Sequence, residues 1–414
     1  MKVLLIGSGG REHCMGWKLA QSSRVDELIS LPGNPGLADL GSVVEGIGVT
    51  DVGAIAAMAR VHGVDLVVVG PEAPLAAGVS DAVSSLGIPV FGPTRSAARL
   101  ESSKSFAKDV MRRAGVPTGA SAIFTEHKDA VTYIAESEGP YVIKADGLAA
   151  GKGVLVTESR TDAESWVDYC LNGGFGDAGE SVMIEEYLDG PEVSVFAVCT
   201  EIGAVALEPA RDYKRLLEGD EGPNTGGMGS YSPVVDLPAD LVSDVMSDVI
   251  NPTLDQMRAD GNTFTGFLYA GLVLTRDGPK VLEFNVRLGD PETQAVLPRM
   301  SSDFLDVLEG TSPEWSEMTT VNVVLAAQGY PTAPEKGAVI KGLNNVSDDV
   351  IVFHAGTKRE GDRLMVDGGR VLNLVGTGVT VEEARDRAYE AAEAVRWPGV
   401  EFRTDIATGY GLDQ

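Results

Sequence analysis

A chain of 414 residues, 43% of them hydrophobic and 23% charged, is long enough to bury several cores, and we expect two to four domains of about 100 to 200 residues each. Its 61 acidic residues outnumber 33 basic ones, and the net charge of −28 repels nucleic acid phosphates and anionic membranes, so neither is an expected partner. Its 3 cysteines and 4 histidines show no disulfide or soft-metal spacing and no apolar run approaches the ~20 residues that cross a bilayer, so the cytoplasm is the expected location.

The first hundred residues alternate between apolar strands and helices, a pattern that predicts an open parallel sheet. Strands are expected at KVLLIG, ELISLP, VDLVVVGPE and PVFGP, with helices at GGREHCMGWKLAQS and DVGAIAAMARVHG. Ligands of such sheets bind beyond the carboxyl ends of the strands, where GSGG (7–10) and GPEAPLAAG (70–78) lie. Gly9 and Gly10 open a helix and are predicted to seat one phosphate. NAD is disfavoured, because Glu12 stands where a dinucleotide fingerprint needs its third glycine.

Residues 101–312 are predicted to form an α+β segment that opens with the helix SSKSFAKDVMRRAG and contains a small lobe at about 121–188. Within that lobe, VIKADGLAAGKGVLV (142–156) places two lysines around a glycine-rich turn whose N–H groups can wrap a phosphate chain. The turn leads into a strand, so it is not a P-loop. A plain hairpin with exposed lysines is the alternative.

The stretch IEEYLDGPEVSV (184–195) ends a strand with two carboxylates and an apolar pair. Such a strand end suits the edge of an adenine, and Glu192 is placed to take ribose hydroxyls. A solvated acidic turn explains the same residues.

The stretch VLEFNVRLGDPE (281–292) alternates polar and apolar side chains. Glu283, Asn285 and Arg287 should share one strand face, opposite a face made of Leu282, Phe284 and Val286. Oxygen ligands at that spacing suit Mg²⁺ or Mn²⁺ held jointly with phosphate oxygens. Arg287 can hold a carboxylate or offset charge on a transferring phosphoryl group. A buried structural ion pair is the alternative. Asp290 and Glu292 are candidates to hold an ammonium group.

The stretch ARDYKRLLEGDEGPNTGGMGSYSP (210–233) concentrates cations beside a glycine-rich loop in an otherwise acidic chain. This predicts a closing lid over an anionic reactant, with a plain flexible loop as the alternative. Residues 310–318 are expected to be a linker, and 319–414 a third α/β unit that ends in the helix TVEEARDRAYEAAEAV.

Taken together, these motifs resemble the ATP-grasp ligases and, within them, the phosphoribosylamine–glycine ligase family. GSGGREH, GPEAPLAAG, IKADGLAAGKGV, GPNTGGMGSYSP, EFNVRLGDPETQ and VFHAGT…GGRVLNL stand in that family's order and near its spacing over essentially the whole chain. The resemblance implies a Rossmann-like N-terminal (pre-ATP-grasp) domain at 1–100, an ATP-grasp domain at 101–312 with a mobile lobe at 121–188, and a C-terminal domain at 319–414. It also implies ATP-dependent ligation of glycine to 5-phospho-β-D-ribosylamine through a glycyl phosphate, with Mg²⁺ or Mn²⁺ as cofactor, by a monomer.

The resemblance also assigns residues to roles. Those implied to meet the ATP phosphates are Lys104, Lys144, Gly151, Lys152 and Gly153. Those implied to line adenine and ribose are Glu185, Glu186, Tyr187, Leu188 and Glu192. The implied metal ligands are Glu283 and Asn285, and the implied glycine-binding residues are Arg287, Asp212 and Asp290, which with Lys152 form the catalytic set. Phosphoribosylamine is implied to contact Gly9, Gly10, Glu72, Lys341 and Arg370.

Three other functions are weighed against this one. A ligase or carboxylase acting on another purine intermediate is opposed by GPNTGGMG and FHAGT. An NAD-linked oxidoreductase is opposed by Glu12. A nucleotide sensor without catalysis would not need both a metal strand and an arginine for an acceptor carboxylate.

Overall fold

The computed structural model describes residues 1–148 and 153–408. Its first unit is a five-stranded parallel sheet of order β3-β2-β1-β4-β5, as the alternating pattern predicts. The strands are β1 (Lys2–Gly7), β2 (Glu27–Pro32), β3 (Ser42–Val43), β4 (Leu66–Val69) and β5 (Val90–Phe91). The helices are α1 (Gly10–Leu19), α2 (Pro35–Ala38), α3 (Val52–Val61), α4 (Glu72–Ala77) and α5 (Val79–Ser84).

Two helices, α6 (Arg99–Ser102) and α7 (Lys104–Ala114), lead into a small lobe with its own hydrophobic core. The lobe is an antiparallel sheet of order β6-β9-β7-β8. Its strands are β6 (Ser121–Phe124), β7 (Tyr141–Ala145), β8 (Val154–Thr157) and β9 (Val182–Glu185). Two helices, α8 (His127–Glu136) and α9 (Arg160–Tyr169), contribute apolar side chains to its core, and short π and 3-10 turns follow at Cys170–Gly174 and Gly176–Gly179.

A second antiparallel sheet, of order β11-β10-β16-β17, carries the predicted metal strand at its edge. It consists of β10 (Glu192–Thr200), β11 (Gly203–Ala206), β16 (Gly266–Thr275) and β17 (Gly278–Asn285). Four strands that belong to other sheets lie between β11 and β16 in the sequence: β12 (Arg211–Asp212), β13 (Arg215–Leu217), β14 (Glu221–Asn224) and β15 (Gly229–Ser232). The helices here are α10 (Leu241–Val245), α11 (Asn251–Ala259), α12 (Glu292–Val296) and α13 (Phe304–Leu308), with short turns at Glu218–Asp220, Met246–Ile250 and Leu297–Arg299. One face of the sheet shares a core with the N-terminal sheet.

The C-terminal sheet has six strands in the order β12-β15-β18-β22-β19, with β23 also paired to β18. Its own strands are β18 (Thr319–Ala327), β19 (Val350–His354), β22 (Arg370–Gly378) and β23 (Val400–Glu401), and β20 (Thr357–Glu360) and β21 (Arg363–Val366) form a separate ribbon. The last helix, α14 (Val381–Ala394), packs its alanine-rich face on β18 and β22, and a 3-10 turn lies at Leu343–Asn345. Within the described ranges, no helix is long and apolar enough to span a membrane.

The glycine-rich stretch after the basic cluster is not a loop throughout, so the lid prediction is wrong for residues 229–232 at its end. Residues Gly229–Ser232 form β15, which is buried between β12 and β18. A side chain on Gly229 would lie 2.8 Å from the carbonyl oxygen of Asn322, so glycine here permits close strand packing. The exposed part of the stretch is the β13–β14 hairpin.

Candidate active site

One face of the small-lobe sheet combines apolar side chains with charged ones. Residues directly opposite each other in antiparallel strands share a face. One row of this face is Ile123, Met183, Lys144 and Val154, and the next is Ser121, Glu185, Val142 and Val156. The opposite face packs on the lobe core. A face of this composition can accept a flat apolar ring together with an anionic chain. Ile123 and Val156 on this face were not predicted, although the alternation of both strands could have identified them.

Glu185 lies between two lysines at the centre of this face. Lys144 Nζ is 2.5 Å from Glu185 Oε2, and Lys108 Nζ contacts Oε1. The Glu185 side chain is only 1% exposed. Of its neighbours in the predicted adenine segment, Glu186 and Tyr187 are exposed and Leu188 is buried. In this structure Glu185 therefore compensates Lys144 and Lys108, and Lys108 is a residue that sequence reasoning did not single out.

The start of the glycine-rich turn is tied to the N-terminus of α7. Lys104 Nζ donates to the carbonyl oxygen of Gly147 at 3.1 Å, and Asp146 Oδ1 accepts from Ser105 N at 2.7 Å. Burial lowers the pKa of Lys104, and Lys144 lowers it further against the opposing effect of Glu283. Lys104, Lys144 and Glu283 thus lie within electrostatic reach of one another. The predicted phosphate-binding residues Gly151 and Lys152 lie outside the described residues, whereas the carbonyl oxygen of Gly153 accepts from Ala145 N at 2.8 Å.

Strand β17, the predicted metal strand, has the predicted polar face, but one residue of its apolar face differs from the prediction. Phe284 and Val286 lie in the core, as predicted, but Leu282 does not: Val281 takes that place. The register shifts because Gly271 pairs with Glu283 while the next residue, Leu272, pairs with Val281. Leu282 is thus the extra residue of a β-bulge, which re-aims the side chains that follow.

Glu283 and Asn285 stand together on the polar face of β17. Asn285 Nδ2 donates to Glu283 Oε1 at 3.3 Å. Desolvation by the surrounding protein acts to raise the pKa of Glu283, but the ammonium groups of Lys144 and Lys214, the hydrogen bond from Asn285 and the ammonium group of Lys104 outweigh it and the pKa is lowered. The carboxylate that is predicted to bind metal therefore lies close to the lysines that are predicted to bind phosphate.

The side-chain oxygens of Glu283 and Asn285 suit a hard cation that takes its other ligands from outside the protein. Among the described residues, no group of three or more His, Cys, Asp or Glu side chains is arranged to hold a metal ion. A divalent ion at Glu283 and Asn285 would take its remaining ligands from water and nucleotide phosphates, which is how Mg²⁺ is usually held beside ATP. The donor set fits the implied metal.

Arg287 is held by two carboxylates from different parts of the chain. Its Nε donates to Glu72 Oε2 at 3.2 Å, and its Nη2 lies 2.9 Å from Glu101 Oε1. Nη2 also donates to Asn285 Oδ1 at 3.0 Å, which orients the metal-side amide. Burial opposes ionisation of Glu72, yet Arg287 and Arg11 lower its pKa to about 2. Burial raises the pKa of Glu101 to about 7 despite Arg287.

Glu101 is a site residue that sequence reasoning missed. It precedes α7 and also accepts from Val286 N at 2.8 Å, so it anchors the end of the metal strand. Nothing in its local sequence marks it, because its partners stand 185 positions or more away.

A second charged group surrounds Lys214, on the polar side of β10 and β16. Lys214 Nζ is 2.8 Å from Asp212 Oδ1 and 3.0 Å from Glu192 Oε2. Glu292 is buried nearby and accepts from Ser194 Oγ at 3.3 Å. Burial raises the pKa of Glu292 to about 7, and the carboxylate of Asp212 adds to that effect. The predicted ribose and glycine residues Glu192 and Asp212 are therefore brought together, with a cation between them.

Asp290 and Arg370 meet at the N-terminus of α1. Arg370 Nη2 lies 3.0 Å from Asp290 Oδ2, and Arg370 Nη1 donates to the Asp290 carbonyl oxygen at 2.6 Å. A methyl group built on Gly9 would lie 3.4 Å from Asp290 Oδ2, and one on Gly10 would lie 2.3 Å from Asn373 Nδ2. Four of the predicted substrate residues are thus neighbours, and glycine at position 10 permits the close approach of Asn373.

Glu12 fills the space where a dinucleotide would need room. Its Oε2 accepts from Gly9 N at 2.7 Å, and a side chain on Gly70 would lie 2.3 Å from Oε1. Arg11 Nε is 2.5 Å from the same carboxylate. A phosphate at this helix end would have to replace the Gly9–Glu12 hydrogen bond. The contacts agree with the expectation that Glu12 disfavours NAD.

Lys341 is the predicted site residue with the least support from its surroundings. Its side chain is exposed, and its backbone pairs with Arg396 beyond α14. Its role stays a prediction.

Comparison with known proteins gives the family. Sequence models of the phosphoribosylglycinamide synthetase N domain, ATP-grasp (A) domain and C domain match residues 1–101, 102–293 and 320–409. The phosphoribosylamine–glycine ligase of Rhizobium meliloti (strain 1021) is 48% identical, with 98% of each chain covered. That of Caulobacter vibrioides is 46% identical and covers 98% of this chain and 97% of its own.

Solved structures agree. The crystal structure of phosphoribosylamine–glycine ligase from Thermotoga maritima superposes with a TM-score of 0.85 at 36% identity, covering 98% of this chain and 100% of that one. A more distant structure is the biotin carboxylase domain of Hydrogenobacter thermophilus 2-oxoglutarate carboxylase, which was solved with MgADP and bicarbonate. It shares the fold with a TM-score of 0.73 at 16% identity, and the superposition covers 97% of this chain and 91% of that one. The chain belongs to the phosphoribosylglycinamide synthetase family of ATP-grasp ligases.

Proposed function

We propose that this chain joins glycine to 5-phospho-β-D-ribosylamine at the expense of ATP, giving glycinamide ribonucleotide, ADP and phosphate, in de novo purine (IMP) biosynthesis. Family membership over the whole chain supports the reaction. The observation that carries it is that Glu283, which accepts a hydrogen bond from Asn285 at 3.3 Å, lies within electrostatic reach of Lys144 and Lys104, whose charges help to lower its pKa.

In the proposed reaction a glycine carboxylate oxygen attacks the γ-phosphorus of ATP and the bond to ADP breaks. The nitrogen of phosphoribosylamine then attacks the acyl carbon of glycyl phosphate, phosphate leaves with the bonding electrons, and the nitrogen loses a proton to solvent. Phosphoryl transfer depends on positioning and charge neutralisation rather than on a protein nucleophile. A site rich in Lys, Arg and oxygen ligands meets that need.

The nucleotide roles follow the charged groups. Lys104 and Lys144, with Gly151, Lys152 and Gly153 of the turn, are assigned to the ATP phosphates. The segment from Glu185 to Leu188 is assigned to adenine, and Glu192 to ribose. Glu283 and Asn285 are assigned to Mg²⁺ or Mn²⁺, which when bound offsets charge on the phosphate oxygens.

The residues assigned to glycine and phosphoribosylamine belong to the charged groups around Arg287, Lys214 and Asp290. Arg287, with Asp212 and Asp290, is assigned to glycine, and Arg287 would exchange a present carboxylate partner for that of glycine. Phosphoribosylamine is assigned to Gly9, Gly10 and Glu72, with Lys341 and Arg370 on the C-terminal domain near its phosphate. In the structure Glu72 contacts Arg287, which is assigned to glycine, and Arg370 contacts Asp290, so residues assigned to the two substrates are paired with each other.

We also propose that the 121–188 lobe closes on ATP, because an acyl phosphate exposed to water would hydrolyse before the amine reached it. Limited proteolysis within DGLAAGKG should slow when Mg²⁺ and ATP are added. An unchanged cleavage rate would contradict closure. A cytoplasmic monomer completes the proposal, and sedimentation of the purified chain tests the oligomeric part.

A phosphate-release assay tests the function. Release should require ATP, a divalent metal, glycine and phosphoribosylamine together, and the product should be glycinamide ribonucleotide. Release that is indifferent to glycine would refute the ligase and favour another ATP-consuming activity.

A further inference from the structure

A buried group of three amides lies behind the Asp290–Arg370 pair. Gln294 Nε2 donates to Asp290 Oδ1 at 2.8 Å and to Asn373 Oδ1 at 3.2 Å. Asn322 Nδ2 also donates to Asn373 Oδ1, at 3.3 Å. We call Gln294, Asn322 and Asn373 the amide network. All three side chains are at most 2% exposed.

The network joins all three parts of the chain. Gln294 is on α12, after the metal strand, and Asn322 and Asn373 are on β18 and β22 of the C-terminal sheet. The N-terminal domain meets the network at Gly10, where a side chain would lie 2.3 Å from Asn373 Nδ2 and 2.7 Å from Gln294 Nε2. The start of α1 therefore rests directly on these amides.

The two oxygens of Asp290 are fixed separately. Oδ1 accepts from Gln294 and Oδ2 faces Arg370, which lies 3.0 Å away. An ionised carboxylate only accepts hydrogen bonds, so Gln294 must turn its NH₂ group toward Asp290. This leaves Gln294 Oε1 buried without a hydrogen-bond partner among the described residues, as Asn322 Oδ1 also is. Such unpaired acceptors cost stability, and packing alone does not account for glutamine at this position.

We propose that Gln294 is a positioning residue, which holds the Asp290 carboxylate between Arg370 and the N-terminus of α1 for the substrates other than ATP. The inference rests on the proposed function. Gln294 does not touch substrate and acts through Asp290. Its hydrogen bonds run to Asp290 and Asn373 rather than to the small-lobe face that is assigned to the nucleotide, so its loss should leave ATP binding unchanged.

The test compares Gln294→Met, Asp290→Asn and the double variant by steady-state phosphate release. Methionine keeps the unbranched shape but cannot donate. Gln294→Met should raise the KM for glycine or phosphoribosylamine about tenfold, the loss typical of one charge-assisted hydrogen bond, while the KM for ATP stays within about twofold. Asparagine at position 290 can still accept from Gln294, but without the charge, so in that background the added effect of Gln294→Met should fall from about tenfold to about threefold.

Thr320→Val is the matched control. Thr320 Oγ1 donates to the carbonyl oxygens of Ser232 at 3.1 Å and of Ala295 at 2.5 Å, so it ties the same helix to the same strand without touching Asp290. It should leave all three KM values unchanged. An equal rise in every KM, an effect of Gln294→Met that persists in full beside Asp290→Asn, or unchanged KM values in Gln294→Met would overturn the inference. A wild-type chain that fails to couple phosphate release to glycine would instead refute the proposed function.

Discussion

Replacing Glu185 with glutamine removes a carboxylate that lies against both Lys108 and Lys144. The Glu185 side chain is 1% exposed, and the two lysine side chains are 8% and 7% exposed. Removing one partner of a buried ion pair costs about 3–5 kcal/mol, because the remaining charge is left uncompensated. We expect Glu185→Gln to lower the free energy of unfolding by at least about 3 kcal/mol at neutral pH, with the small lobe opening first.

The pH dependence of this loss gives a second check. Burial already lowers the pKa of Lys108, and Glu185 opposes that effect. Without Glu185 the pKa of Lys108 in the folded state should fall further below its unfolded value of about 10.4. A base whose pKa is lower in the folded state than in the unfolded state destabilises the fold. This penalty is full below the folded pKa and disappears above the unfolded pKa, where the base is neutral in both states. The deficit should therefore be largest near pH 7 and shrink as the pH rises toward 10.

Urea unfolding and hydrogen exchange of β7 and β9 measure both effects. Glu186→Gln is the matched control, since the Glu186 side chain is 46% exposed, lies 3.7 Å from Lys280 and can still accept from Ala120 N as an amide. It should cost less than about 1 kcal/mol. A loss in Glu185→Gln no larger than in this control would refute the role assigned to Glu185.

Two further predictions concern the domain contacts at α1. Gly10→Ala should lower the free energy of unfolding, measured in urea, by about 1–3 kcal/mol, because its methyl group would overlap Asn373. Gly53→Ala in α3 should be neutral or stabilising, because the new methyl group would lie 4.0 Å from Asp51 Oδ1. Equal stability of the two variants would contradict the packing at Gly10. His13 Nδ1 accepts from His354 N at 2.7 Å, and burial lowers the pKa of His13 to about 3 and that of His354 to about 4. Histidines whose pKa falls on folding favour the folded state above the unfolded pKa of about 6.5, so stability should drop by about 1 kcal/mol per pH unit for each as the pH falls from 6.5 toward 4. His13→Gln should remove about half of this dependence, and an equally steep slope in that variant would exclude His13 as a cause.

Local periodicity was enough to predict the elements that carry the site. The strand with Glu283, Asn285 and Arg287 has its polar residues on one side, as predicted from residue order alone. Leu282 was misplaced because a β-bulge depends on the register of the neighbouring strand, which a single strand's sequence does not encode.

The contacts that complete the site could not be predicted, because they join distant segments. Glu101 reaches Arg287 and Val286 across 185 or more positions, and Gln294 reaches Asn373 across 79. The stretch that was predicted as a lid is partly a strand of the C-terminal sheet, because β15 pairs with β18, more than eighty residues later. The glycine-rich composition suggested a loop. At Gly229, however, glycine allows β15 to pack closely against β18.

The central claim is that Glu283, Asn285 and the lysine-bearing lobe meet at the terminal phosphates of ATP. A crystal structure of the chain with Mg²⁺ and a non-hydrolysable ATP analogue tests it most directly. We expect oxygens of Glu283 and Asn285 about 2.1 Å from a Mg²⁺ ion that also contacts phosphate oxygens, with Lys144 Nζ within hydrogen-bonding distance of the same phosphates. Phosphates bound away from Lys144, or a metal ion without Glu283 and Asn285 among its ligands, would contradict it.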